Sequence, residues 1–144
     1  MNSLDFSELG PADRELLAAA RDAREAAYAA YSGFKVGAAL RAEDGKIFTG
    51  CNIENASYGL TCCAERVAVF AAIAAGVRRF GTLAVVAGEP GAVPSTPCGA
   101  CRQVLAEFAP DLRVLLAGPG ASGPVLLTGL DELLPHPFTL GEPG

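Results

Sequence analysis

The sequence predicts an α/β fold: a three-layer α/β/α sandwich on a mixed sheet of about five strands. Three observations carry this expectation. Helical and strand-like patterns alternate along the chain. The 144 residues suit one domain, residues 1–144, and two independent cores would each be small. Hydrophobic residues make up 51% of the chain and charged residues 19%, which excludes a disordered chain. That apolar content also exceeds what one small domain readily hides, so self-association is expected.

Residues 11–31 read as a helix. Pro11 suits a first helical position, and Leu16, Leu17, Ala20, Ala27, Tyr28 and Tyr31 form its apolar stripe. Ser32-Gly33 ends it. Residues 34–41 and 47–53 read as strands joined through Asp44-Gly45, a hairpin signal. Residues 54–61 form a loop. Residues 63–75 read as a helix stopped by Gly76. Its body, residues 67–73, is apolar on every side, which predicts burial all round. Residues 82–87 make a short strand, and 89–96 a loop with Pro90, Gly91 and Pro94. A helix follows Pro97 and runs to about Phe108. Residues 112–117 and 125–128 are further strands, and 131–134 a helical turn broken by Pro135 and Pro137.

Charge narrows the function. A net charge of −5 and a pI near 4.8 repel phosphate backbones, so no nucleic-acid partner is expected. The longest apolar run, residues 67–77, is far short of the roughly 20 residues a bilayer needs, so no membrane partner is expected either. Asp5 and Glu8 precede any apolar stretch, unlike a secretory signal. Five cysteines, an odd number without an export signal, predict reduced thiols and a cytoplasmic protein.

The cysteines cluster in two segments: Cys62-Cys63-Ala64-Glu65-Arg66 and Pro97-Cys98-Gly99-Ala100-Cys101-Arg102-Gln103. Both lie at predicted helix starts. Cys98 and Cys101 share a helix face, and the positive end of a helix dipole favours thiolates. Three thiolates, from Cys63, Cys98 and Cys101, can hold Zn²⁺ and leave a fourth position open, the mark of a catalytic site. Glu65, two residues after Cys63, would stand beside that position as proton carrier. Arg66 would offset the thiolate charge. Cys62 directly precedes the ligand, and the spacing to Glu65 selects Cys63 over it.

The bland alternatives are ordinary buried cysteines, a redox Cys-x-x-Cys pair, or a closed structural zinc site drawing a fourth ligand from Cys51, Cys62 or His136. Glu65 alone would be a first-turn helix carboxylate, and Arg66 alone a solvated surface residue.

A ligand-x-Glu segment followed by Pro-Cys-x-x-Cys is the signature of zinc nucleobase deaminases. With the segments 31–40 (Tyr-Ser-Gly-Phe-Lys-Val-Gly-Ala-Ala-Leu) and 50–58 (Gly-Cys-Asn-Ile-Glu-Asn-Ala-Ser-Tyr), the chain resembles the small, homotetrameric cytidine deaminases across residues 31–103. That resemblance implies a cytidine deaminase-like fold, zinc, and hydrolytic deamination of cytidine and 2′-deoxycytidine. It implies that Phe34 packs on the pyrimidine and that Asn52 and Glu54 bind the ribose. It also implies that the Ala64 amide reads the base edge. Ala56, Tyr58 and Phe138 would reach the site of a neighbouring subunit. Thr96 departs from the family, where Ser commonly precedes Pro-Cys. A deaminase of another aminated base or drug, such as blasticidin S, is the rival enzyme; a zinc-stabilised binding protein is the rival from another class.

Overall fold

The uncharged apolar runs at 36–40, 83–87 and 114–117 become the central strands. A computed structural model describes residues 1–141. Its strands are β1 (Asn2–Asp5), β2 (Val36–Ala42), β3 (Ile47–Cys51), β4 (Phe80–Ala87), β5 (Arg113–Ala117) and β6 (Pro124–Gly129). Its α-helices are α1 (Pro11–Arg24), α2 (Ala64–Ala74), α3 (Gly99–Phe108) and the single turn α4 (Leu130–Leu133).

The strands form one sheet in the order β1-β6-β5-β4-β2-β3. β4 and β5 are parallel, and the other neighbours are antiparallel. A parallel pair needs a crossover, and α3 supplies it. Side-chain alternation then builds the three layers. Leu40, Leu83, Val85, Val114 and Leu116 face α2 and α3. Ala39, Ala84, Val86 and Leu115 face α1, where Leu16, Leu17 and Ala20 meet them. Leu16 and Leu17 are fully buried, each contributing roughly 2 kcal/mol from removal of apolar area. The α/β sandwich and mixed sheet are as expected.

Four details differ from the expectation. The sheet has six strands rather than about five. The extra one, β1, pairs along β6 at the edge (Asn2 opposite Leu127, Asp5 opposite Pro124), and its Asn, Ser and Asp residues have little strand preference. The first helix ends at Arg24 rather than Tyr31. Tyr28 is drawn off the helical path by pairing with the β3 side: its N–H donates to Asn52 O, and its carbonyl accepts from Glu54 N, both at 2.9 Å. Tertiary pairing overrides the helical preference of the alanines around it. β4 begins at Phe80, two residues early, because Phe80 is buried edge-on against Phe108 at 6.4 Å. Finally, α2 is not buried all round. Ala64, Glu65, Ala68, Val69 and Ala72 are buried, but Phe70 is 49% exposed, and Ala71 and Ala74 are exposed beside it. No helix among the described residues is long and apolar enough to cross a membrane.

Candidate active site

Close backbone contact fixes the start of α2. A Cβ at Gly50 of β3 would lie 2.5 Å from both Ala64 O and Ala68 N, so only glycine lets the helix lie this close. Just before the helix, Cys62 and Ile53 exchange backbone hydrogen bonds of 3.0 and 2.9 Å. Cys63 is thereby placed as the N-terminal flanking residue of α2, and Cys98 holds the same position on α3.

The three cysteine sulfurs converge. Cys63 Sγ lies 3.7 Å from Cys98 Sγ, which lies 3.5 Å from Cys101 Sγ, and all three fall within 4.8 Å of one another. A tetrahedral zinc site with Zn–S near 2.3 Å requires sulfurs about 3.8 Å apart, so this donor set fits the ion. No other His, Cys, Asp or Glu among the described residues joins the group. Cys51, Cys62 and His136 stand outside it, which removes the fourth ligands that a closed site would need.

Charge is arranged to match. Arg66 Nη2 donates to Cys63 Sγ at 3.5 Å. Hydrogen bonding from the Cys101 thiol, then from Arg66 and Cys98, brings the Cys63 thiol down to about 5 despite burial. That same hydrogen bond and burial push the Cys101 thiol up. The Cys63 thiolate in turn raises the pKa of Arg66. Cys62, by contrast, is raised by burial and holds its proton.

Glu65 is only 5% exposed. Burial lifts its carboxyl to about 7; the Cys63 thiolate adds to the rise, while its own backbone N–H and Arg66 oppose it. A carboxyl poised there can both accept and return a proton near neutral pH.

Cys63, Cys98 and Glu65 open on a cavity of about 260 Å³, with Phe34, Asn52, Glu54 and Ala64 also in its wall. Asn52 and Glu54 do more than line it. Asn52 Nδ2 donates to Phe34 O and Oδ1 accepts from Val36 N, both at 2.8 Å. One amide hydrogen and one lone pair remain uncommitted. Glu54 Oε1 accepts from the backbone N–H groups of Tyr31 at 2.8 Å and Ser32 at 3.1 Å, and Oε2 accepts from the Ser32 hydroxyl. Those bonds, the hydroxyl first, hold the Glu54 carboxyl below its usual range. The pair therefore clamps the segment that presents Phe34.

The structure thus brings together Cys63, Cys98, Cys101, Glu65, Arg66, Phe34, Asn52, Glu54 and Ala64. It leaves Ala56, Tyr58 and Phe138 outside this cavity; Tyr58 is 80% exposed and Phe138 70%. Sequence reasoning gave no role to Ser32, Val85 or Ala87, which also line the cavity. Ser32 lay within the first matching segment and was the accessible signal; Val85 and Ala87 look like any strand residues.

Residues 11–117 match the family model for the cytidine and deoxycytidylate deaminase zinc-binding region. The chain is 54% identical over 126 residues to a cytidine deaminase of Sporosarcina psychrophila, covering 87% of this chain and 90% of that one. It is 51% identical over 129 residues to a cytidine deaminase of Halalkalibacterium halodurans, covering 88% and 95%. The crystal structure of cytidine deaminase from Burkholderia pseudomallei superposes with a TM-score of 0.80 at 54% identity, covering 86% of this chain and 97% of that one. The family match spans both cysteine segments and the strands beneath them, and this chain belongs to the zinc-dependent cytidine deaminases.

Proposed function

We propose that the chain hydrolyses cytidine and 2′-deoxycytidine to uridine and 2′-deoxyuridine, releasing ammonia. The observation that carries this reading is a three-thiol metal site sharing a cavity with one buried carboxyl, Glu65. Cys63, Cys98 and Cys101 would hold zinc, which when bound acidifies water toward neutral pH. Glu65 takes a proton from the attacking water and delivers it to ring N3 as oxygen adds to C4. Glu65 then carries the proton of the new C4 hydroxyl to the amino group; the C4–N bond breaks, C4=O forms and ammonia leaves. Phe34 packs on the pyrimidine, the Ala64 amide reads the base edge, and Asn52 and Glu54 meet the ribose hydroxyls. The negative charge of Glu54 disfavours a phosphate near the sugar, so nucleosides are preferred over nucleotides.

The working unit in this reading is a cytoplasmic homotetramer. Five free cysteines support a reducing compartment. The exposed Phe70, Ala71 and Ala74 face of α2 supports association, as do exposed Tyr58 and Phe138, which would complete a neighbouring subunit's cavity together with Ala56.

An ultraviolet assay with cytidine, on protein whose zinc has been quantified, tests the reaction. Turnover of cytidine and 2′-deoxycytidine is expected, with little on cytidine monophosphate or blasticidin S. One zinc per chain without ammonia release from any nucleoside refutes it.

A further inference from the structure

Residues 93–97, which lead to Cys98, make no backbone–backbone hydrogen bond among themselves or to any other described residue. Pro94 and Pro97 lack an N–H altogether, and Cys98 is exposed with no side-chain capping bond. Yet the Cys98 sulfur must stand 3.7 Å from one partner and 3.5 Å from the other. The Cys98 carbonyl accepts from Arg102 N at 3.0 Å, and for the loop before it one side chain supplies the missing anchorage. Arg102 Nε donates to Pro97 O at 2.7 Å, and Nη2 donates to Thr96 Oγ1 at 3.0 Å. From the other side of the guanidinium, Nη1 donates to Leu133 O at 2.7 Å. Leu133 O is one of the carbonyls that the end of α4 leaves without a helical partner.

The geometry points to Arg102 as a positioning residue for the metal centre. It ties the Cys98 loop to the end of α4 and so holds the second thiol in register with the other two. It acts at one remove, since it neither bonds a cysteine sulfur nor lines the cavity. A planar fork with fixed donor directions can hold three acceptors at once; a lysine ammonium on a flexible stem cannot reproduce that geometry. Thr96, the departure from the commoner family Ser, keeps the hydroxyl that this fork requires.

The inference rests on zinc being held by the three cysteines. The zinc-loaded wild-type protein and the variants Arg102→Gln, Arg102→Lys and Thr96→Val would be challenged with a chromogenic chelator. Release rate would be read beside Tm, kcat and KM for cytidine, and the thiolate-to-cobalt charge-transfer band of the cobalt-substituted forms. Arg102→Gln is expected to weaken metal retention about 10- to 100-fold, the usual effect of removing a partner that orients metal ligands. Arg102→Lys should fall between it and wild type, and Thr96→Val should lose a few-fold. The cobalt band should shift, and kcat should fall more than KM rises. Wild-type release from Arg102→Gln or Arg102→Lys, even with a lowered Tm, overturns the inference. If Arg102→Gln does not fold, Thr96→Val decides, and wild-type release there overturns it. A wild-type chain that holds no zinc refutes the metal site itself, a result distinct from variants that release zinc no faster than wild type.

Discussion

At the start of α2, Cys63 is held by backbone. Cys62 pairs with Ile53, and the helix lies directly on Gly50. At the start of α3, the loop that delivers Cys98 is held by a side chain, through the fork of Arg102. These helix starts therefore have opposite weaknesses. A backbone-held ligand tolerates side-chain changes nearby but not added bulk at the contact. A side-chain-held ligand tolerates bulk but not loss of its anchor. The start of α2 also carries Glu65, the proposed proton carrier, while the start of α3 carries thiols alone.

The most severe loss of activity should separate chemistry from metal binding at the start of α2. Glu65→Gln removes the titrating group and leaves all three sulfurs in place. Turnover of cytidine should fall about 10³-fold, within the range of a lost general acid–base, with zinc content unchanged. Steady-state rates paired with metal analysis check this; retained turnover would remove Glu65 from the proton path. Neither Cys98 nor Cys101 permits such a separation, since each change there removes a sulfur.

Next comes bulk at the backbone contact. Gly50→Ala would drive a methyl into Ala64 O and Ala68 N, and Gly37→Ala would drive one to 1.9 Å from Ala20 O on the opposite face. Each overpacks the fold by about 1–3 kcal/mol or more, lowering Tm by roughly 3–10 °C. Only Gly50→Ala displaces the start of α2, so only it should also speed zinc release. Equal release from the two variants would show that the Gly50 contact does not set the position of Cys63.

What was legible in the sequence follows the same division. Cys98-x-x-Cys101 was readable because helical spacing sets i and i+3 side by side, and Cys63-x-Glu65 because a ligand-x-Glu segment at a predicted helix start is a local signature. The central strands were readable because their apolar runs are uninterrupted. The premature end of α1 was not, because Tyr28 pairs with Asn52 and Glu54, far along the chain. Nor was β1, which pairs with β6 near the other end of the sequence. The clamp made by Asn52 and Glu54, and the reach of Arg102 to Leu133, are also non-local; no spacing rule contains them.

The cavity wall bearing Phe34 is held as the Cys98 loop is, by side chains, so it should break in the same way. Ser32→Ala removes the hydroxyl that bonds Glu54 Oε2 and accepts from Phe34 N at 3.0 Å. KM for cytidine should rise about fivefold, the worth of roughly one net hydrogen bond, with kcat and zinc release little changed. An effect on zinc release instead would mean that the Phe34 segment supports the metal ligands as well as the cavity wall.

The mildest change is expected at the far end of the sheet, where a side-chain tie holds the fold and not the site. Arg113, beside Thr82 at the start of the parallel pair, donates to both Asp13 carboxylate oxygens, at 2.8 and 2.6 Å. Arg113 holds the Asp13 carboxyl below its ordinary range, the hydrogen bonds outweighing the opposing effect of burial. Because the folded-state pKa lies below the unfolded value of about 3.9, the stabilisation is fully present above that value. It is lost as pH falls through the folded-state pKa. Arg113 is 41% exposed, so solvent screening keeps the contribution to about 1 kcal/mol. Asp13→Asn should therefore lower Tm by a few degrees at pH 5–8, and the deficit should shrink below about pH 4. Zinc release and kcat at neutral pH should match wild type. Subtracting the two Tm profiles removes any acid loss of metal common to both proteins. A deficit that persists unchanged at low pH would mean that the substitution acts through packing and not through the ion pair.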